Sequence, residues 1–153
     1  MNAFVLTVSD RVSNGVREDE SGPLAADLLV AAGFSVTRGC VPDERDQIAD
    51  AVRAAARAGA DVVVTTGGTG LGPRDVTPEA TAQVLDRAAP GIADAVRAAG
   101  AVATAMFSRG TAGVLGRTLV VNLAGSPGAV RDGLTVLLPV FDHAVSQIRG
   151  GDH

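Results

Sequence analysis

The sequence predicts a three-layer α/β/α fold built on a mainly parallel, doubly wound sheet, in a single domain spanning residues 1–153. Three observations carry that prediction. Short β-branched runs alternate with longer Ala-rich stretches along the chain. The runs Val62-Val63-Val64 and Leu119-Val120-Val121 are apolar on consecutive positions, as strands covered on both faces should be. A chain of 153 residues, 46% hydrophobic and 20% charged, has the size and composition of one compact domain. It contains no internal repeat, low-complexity tract or linker that would divide it.

Taken in order, Phe4 to Val8 reads as a buried strand, followed by a polar loop from Ser9 to Glu20. Ser21-Gly22-Pro23 opens a helix through about Ala32, closed by Gly33. Phe34 to Val41 is a second strand, and Pro42-Asp43 leads into a helix from Glu44 to about Ala58, ended by Gly59. Val62 to Val64 centres a third strand. A glycine-rich loop then runs from Gly67 to Thr77, and a helix begins at Pro78. Pro90-Gly91 separates that helix from another, Ile92 to about Ala103. Met106 to Arg117 holds three glycines and little periodicity, and receives no assignment. Leu119 to Val121 is a further buried strand, and Gly125-Ser126-Pro127 precedes the last helix, Ala129 to Ile148.

Composition excludes several functions. A net charge of −4 with singly scattered arginines offers no basic groove for nucleic acid or anionic lipid. All 13 cationic side chains are Arg, so neither a Walker A lysine nor Schiff-base chemistry is available. Without Trp or Tyr, four Phe are the only aromatic groups for stacking on bases. The two histidines, His143 and His153, lie near the C-terminus and argue against a histidine dyad. The single cysteine, Cys40, has no disulfide or zinc partner and reads as an inert core thiol. The first ten residues lack the cationic start of a secretory signal, and no apolar run approaches a membrane span, so a soluble cytoplasmic protein is expected.

In a parallel sheet, ligands sit outside the carboxyl ends of the strands. Four loops leave that edge: Ser9-Asp10, Pro42-Asp43, Gly67 to Thr77, and Asn122 to Pro127. The sharpest signal is Thr66-Gly67-Gly68-Thr69-Gly70, continuing through Arg74-Asp75 to Thr77-Pro78. Its glycines permit positive φ and turn successive N–H groups into an anion-binding nest. Thr69 adds a hydroxyl and Arg74 a permanent positive charge. Asp75 repels phosphate unless a cation intervenes, and Mg²⁺ accepts carboxylate and phosphate oxygens together. The plainer reading is a turn with Thr77 as helix N-cap and Pro78 at the first helical position. The loop is neither a P-loop nor a dinucleotide fingerprint, since it lacks the lysine and has Pro73 in place of a third glycine. Asp43 is either a helix N-cap or a second carboxylate for the same metal. Ser126 and Pro127 either cap the last helix or offer its free N–H groups to an anion. Ser9-Asp10 reads as a polar turn, and Ser108-Arg109 as a surface pair or an anion contact.

In chain order, Val8-Ser9-Asp10, Pro42-Asp43, Thr66 to Gly70, Arg74-Asp75-Val76-Thr77-Pro78-Glu79, Ser108-Arg109 and Asn122-Leu123-Ala124-Gly125-Ser126-Pro127 resemble the MogA/MoaB family of molybdenum cofactor biosynthesis proteins. The similarity covers nearly the whole chain. Ala124 departs from it, standing where such proteins usually have proline. The resemblance implies a homotrimer that binds molybdopterin at the edge derived above. It also implies the reaction of molybdopterin with Mg-ATP to give adenylyl-molybdopterin and pyrophosphate, with Asp43 and Asp75 as the catalytic, Mg²⁺-holding acids. Ser9, Asp10, Thr66, Gly67, Gly68, Thr69, Gly70, Arg74, Ser108, Arg109, Asn122, Gly125, Ser126 and Pro127 match its nucleotide and pterin contacts. Three other readings stay open: a MoaB-like protein that binds molybdopterin without turnover, a trimeric scaffold working with a molybdenum-insertion protein, and the same fold serving another nucleotide or phosphate ligand.

Overall fold

The computed structural model describes residues 1–151. Its strands are β1 (Asn2–Val8), β2 (Ser35–Val41), β3 (Val62–Thr66), β4 (Arg87–Ala88), β5 (Ala112–Leu115) and β6 (Thr118–Leu123). Its helices are α1 (Asp10–Ser13), α2 (Ser21–Ala31), α3 (Arg45–Arg57), α4 (Thr77–Val84), α5 (Pro90–Ala99) and α6 (Pro127–Ile148). The strands form one six-stranded sheet in the order β2-β1-β3-β6-β5-β4. β2, β1, β3 and β6 pair in parallel, and β5 runs against both of its neighbours. The three-layer, mainly parallel architecture expected from the sequence is the one observed.

Alternation along the strands divides the core in two. Val62 and Val64 of β3 pack with Leu29 of α2 and with Leu134 and Phe141 of α6 on one face. Val63 packs with Ile48 and Val52 of α3 and Ala80 of α4 on the other. Phe141 is fully buried and meets Phe34 edge to face, with ring centroids 5.8 Å apart. From β1 the chain first crosses to β2 on one side, then places β3 on the other. The carboxyl ends of β1 and β3 therefore flank the point where the winding reverses, the crevice in which such sheets bind ligands.

Several boundaries differ from the sequence reading, for local reasons. The polar loop after β1 contains the single turn α1, capped by Ser9, whose Oγ accepts from Val12 N–H (3.2 Å). α5 stops at Ala99 instead of continuing to Ala103 because Gly100 is extended. The chain then folds back so tightly that a Cβ on Gly100 would lie 2.2 Å from Ala105 Cβ. A 3-10 turn, Ala103–Phe107, follows, and the unassigned stretch beyond it supplies β5 and the Gly116 turn into β6. β4 is two residues long, too short to leave a periodic signature. Cys40 is not a core thiol; β2 is an edge strand and leaves it exposed. His153 lies outside the described residues. No helix among the described residues is long and apolar enough to cross a membrane.

We expect Phe141→Ala to cost about 3–5 kcal/mol, because it removes a buried ring and leaves a cavity. Urea unfolding should give a lower midpoint with an unchanged slope; a midpoint equal to the parent's would contradict this account of the α2/α6 core.

Candidate active site

The four parallel strands deliver their loops to one edge, and Gly67 is where these loops meet. Its N–H donates to Leu123 O (3.0 Å), and Thr77 Oγ1 donates to its carbonyl (2.9 Å). Gly67 and Gly68 both have positive φ, 95° and 63°. A Cβ on Gly67 would lie 2.3 Å from Val8 O, and one on Gly68 would lie 2.3 Å from Thr77 Oγ1 and 2.9 Å from Asp43 Oδ1. Both positions thus require glycine for conformation and for space. Thr77 is the first residue of α4, not its cap. Val76 occupies the cap position with no side-chain bond, and the Thr77 hydroxyl serves the glycine turn instead.

Among the described residues the N–H groups of Gly68, Thr69 and Gly70 have no acceptor, and those of Ser126 and Gly128 at the start of α6 have none either. Ser126 does cap α6, its Oγ accepting from Ala129 N–H (3.2 Å), and Pro127 takes the first helical position. All five unengaged amides line one cavity of about 590 Å³. The same lining includes the apolar side chains of Val96, Val102, Ala105 and Phe107, together with Asp132, whose Oδ2 accepts from Ala101 N–H (3.0 Å). Backbone donors and apolar walls in one cavity suit a ligand with anionic groups joined to a flat ring.

A second cavity, about 230 Å³, adjoins the first. Gly67, Gly68, Asp75 and Gly125 belong to both linings, while Ser9, Thr66 and Asp43 line only the smaller one. Asp43 is not the cap of α3; that position falls to Glu44, again without a side-chain bond. The Asp43 carboxylate instead accepts from Asp10 N–H (2.7 Å), and Asp43 N–H donates to Asp10 Oδ1 (3.0 Å). Asp75 turns back on its own loop, Oδ2 accepting from Gly72 N–H (2.8 Å). Burial pushes the Asp43 carboxyl above the usual carboxylate range, and the negative charges of Asp10 and Asp75 add to that effect; the Asp10 N–H and Arg74 oppose it. Asp10 moves the other way, held down by Arg74 and by Asp43 N–H.

The predicted cationic contacts are already occupied. Arg74 donates to both oxygens of Asp10 (3.0 Å each) and to Glu44 (2.7 Å). Arg109 pairs with Glu79 and donates to Gly70 O (2.8 Å) and Asp75 O (2.6 Å), so it staples the glycine loop. Ser108 joins this staple, its Oγ donating to Thr69 Oγ1 (3.2 Å). Asn122 is 3% exposed and lines neither cavity. Its Nδ2 donates to Thr65 and Thr81 hydroxyls (2.9 Å each), and its Oδ1 accepts from Thr111 N–H (3.1 Å). From there it fastens β6 to β3 and to α4, outside both linings.

Sequence reasoning missed two groups. Asp19 closes the smaller cavity by accepting from Thr7 Oγ1 (2.6 Å) and Gly22 N–H (2.9 Å). Its position three residues before Gly22, at the opening of α2, is a capping spacing that was legible. Arg17 is the one arginine lining either cavity whose side chain has no partner among the described residues. Nothing in the pattern around it distinguishes it from the other arginines.

Residues 4–143 match the family model described as "Probable molybdopterin binding domain". The chain belongs to that family. It is 38% identical to a molybdopterin adenylyltransferase of Helicobacter pylori, over 95% of this chain and 86% of the relative. It is 43% identical to a molybdenum cofactor biosynthesis bifunctional protein of Synechococcus elongatus, over 99% of this chain. That match spans only 48% of the relative, so the chain covers about half the length of such bifunctional proteins. Among solved structures, the molybdopterin biosynthesis Mog protein of Mycobacterium ulcerans superimposes with a TM-score of 0.91 at 47% identity, covering 96% of this chain and 98% of that one. The tungsten cofactor synthesizing protein MoaB of Pyrococcus furiosus gives 0.88 at 35% identity, covering 97% of this chain and 96% of that one.

Two outcomes are expected from this geometry. Asn122→Leu should cost about 2–4 kcal/mol in urea unfolding, because it leaves Thr111 N–H and two threonine hydroxyls unpaired; an unchanged midpoint would return Asn122 to the ligand contacts. Asp43→Asn should be as stable as the parent or more so at neutral pH, with the gain absent at about pH 3. Folding raises the Asp43 pKa, so its stabilising protonation is present below the unfolded carboxylate range and is lost as pH rises through the raised folded value. A stability difference independent of pH would refute the assignment.

Proposed function

We propose that this family member is a nucleotidyltransferase that moves AMP from ATP to the terminal phosphate of molybdopterin, the molybdopterin adenylyltransferase reaction. A phosphate oxygen of molybdopterin attacks the α-phosphorus of ATP, a new P–O bond forms, and the bond to the β-phosphate breaks to release pyrophosphate. A phosphate nucleophile is already ionised at neutral pH, so no general base is needed, in keeping with a site that holds no histidine or lysine. What the reaction requires is relief of anion–anion repulsion.

The observation that carries this reading is Asp75, placed in the wall shared by a donor-lined cavity and an acid-lined one. The unengaged amides of Gly68, Thr69, Gly70, Ser126 and Gly128 hold phosphate oxygens. The apolar walls of the larger cavity exclude water from a flat ring. Asp43 and Asp75 fit a divalent cation: each has one oxygen on a backbone N–H and the other free of hydrogen bonds. Mg²⁺ held by these two acids would supply positive charge that offsets the repulsion among carboxylates and phosphates. Arg74 orients the acidic loop through Asp10 and Glu44, and Arg17 is the cation at hand for a phosphate. Thr66, Ser9 and Asp10 complete the acid-lined side, while Ser108, Arg109, Gly125 and Pro127 shape the loops around it.

The reading extends to a cytoplasmic homotrimer that passes its product to a molybdenum-insertion protein. A MoaB-like binding role without turnover is the second reading, favoured by the engagement of both Arg74 and Arg109 with protein partners.

Incubation with molybdopterin and Mg-ATP should release pyrophosphate. Asp75→Asn should slow release by about 100-fold or more, the scale expected when a group aimed at transition-state charge is removed, while pterin binding changes by less than about threefold. Pyrophosphate release by the variant at the parent rate would exclude the metal-bridged mechanism, and pterin binding with no release by the parent would select the binding role.

A further inference from the structure

β3 ends in two adjacent threonines with opposite fates. Thr65 faces α4, and its hydroxyl accepts from Asn122 Nδ2 (2.9 Å). Thr66 faces the α2/α6 side, between its register partners Thr7 on β1 and Leu123 on β6. It is 1% exposed, lines the smaller cavity, and its Oγ1 has no hydrogen-bond partner. The other buried threonines, Thr7, Thr65, Thr69, Thr77, Thr81 and Thr118, all engage their hydroxyls. A buried hydroxyl left unpaired destabilises the fold unless something from outside the chain meets it. The remaining unpaired buried oxygen among the described residues, Glu79 Oε2, belongs to a carboxylate whose other oxygen pairs with Arg109.

The company Thr66 keeps defines its guest. The cavity also takes in Asp43, Asp75 and Asp19, and Asp19 already accepts from Thr7 and Gly22. Asp43 Oδ1 and Asp75 Oδ1 accept nothing. Arg17 stands exposed at the rim. Asp43, Asp75, Glu18 and Glu20 bring carboxylate oxygens without hydrogen-bond partners among the described residues to the same lining as a buried hydroxyl, which disfavours a bare anion and suits a cation. No three His, Cys, Asp or Glu side chains among the described residues group closely enough to hold a stripped ion. The ion must keep water, and Mg²⁺, which dehydrates reluctantly and takes only one or two carboxylates, does so.

We propose that Thr66 is the buried hydroxyl that holds a shell water of a divalent cation in this cavity, with Asp43 and Asp75 as the carboxylates. This rests on the metal-dependent reading above and adds a positioning residue to it. Thr66 acts on the hydrated ion and not on the nucleotide, so its loss weakens only the metal-dependent part of nucleotide binding.

The test is calorimetric titration of ATP into the parent, Thr66→Val and Thr66→Ser proteins, each with Mn²⁺ and with EDTA. Mn²⁺ should tighten ATP binding by the parent. Thr66→Val should lose about tenfold of that gain, the size of one hydrogen bond to a charge-polarised partner. Its affinity in EDTA should stay within about twofold of the parent's, a margin below the energy of one hydrogen bond. Thr66→Ser should recover most of the gain. Without metal, Thr66→Val should melt no lower than the parent, since an unpaired buried hydroxyl has been removed. Full retention of the Mn²⁺ gain by Thr66→Val, or an equal loss with Mn²⁺ and with EDTA, overturns the proposal. ATP binding by the parent with no Mn²⁺ gain overturns it too while leaving the nucleotide site intact, whereas no ATP binding at all removes the transferase reading along with it.

Discussion

The site depends on how closely the backbone at Gly67 and Gly68 approaches its neighbours. β1, β3 and β6 end there, and the start of α4 is tied to the same turn through the Thr77 hydroxyl. Left-handed backbone at two successive residues aims the following N–H groups outward, away from any internal acceptor. A side chain at Gly68 would displace Thr77 and press on Asp43. The same turn therefore fixes the amide nest, the start of α4 and the position of one acid. Larger residues cannot be accommodated by a small adjustment, because the nearest obstacle at Gly67 is the Val8 carbonyl, part of the sheet.

Charge is arranged around that turn so that Arg74 and Arg109 serve architecture. Arg74 crosses between the loop after β3 and the loops after β1 and β2 to bind Asp10 and Glu44. Arg109 ties the 3-10 segment to the glycine loop. Both pairs are substantially exposed, where an isolated ion pair contributes only about 0–1 kcal/mol. Their effect is on loop position more than on global stability. With those guanidinium groups engaged, the backbone donors of Gly68, Thr69 and Gly70 and the Arg17 side chain are left without partners among the described residues.

Much of this was legible in the sequence. Consecutive apolar β-branched residues marked the buried parallel strands, and the loops at their carboxyl ends located the functional edge before any side chain was placed. Glycine spacing marked the nest. The direction in which polar side chains turn was not legible. Asn122 sits in a site-edge loop by sequence, yet strand alternation sends it into the core, where Thr65 and Thr81 absorb it. Arg74 and Arg109 read as anion contacts because their partners, Asp10 and Glu79, are 64 and 30 residues away. β4 and β5 escaped because a two-residue strand and a four-residue strand interrupted by Gly113 have no period to detect. Cys40 misled for a related reason: an apolar strand at the sheet edge looks in sequence like one at its centre.

The acids are the part of the site that stability alone does not explain. Asp43 could have capped α3 one residue later and been solvated; instead it is drawn toward Asp10 and Asp75, where burial and like charge disfavour its ionised form. Thr66 adds an unpaired hydroxyl to the same cavity. A fold selected only for stability has no use for either, since an asparagine and a valine of nearly the same shape would relieve both penalties. The positive guest proposed above would answer both at once, favouring the ionised carboxylate and giving the hydroxyl a partner. On the reading proposed above, the cost that Asp43 and Thr66 impose on folding and the binding free energy of a cation are two views of the same arrangement.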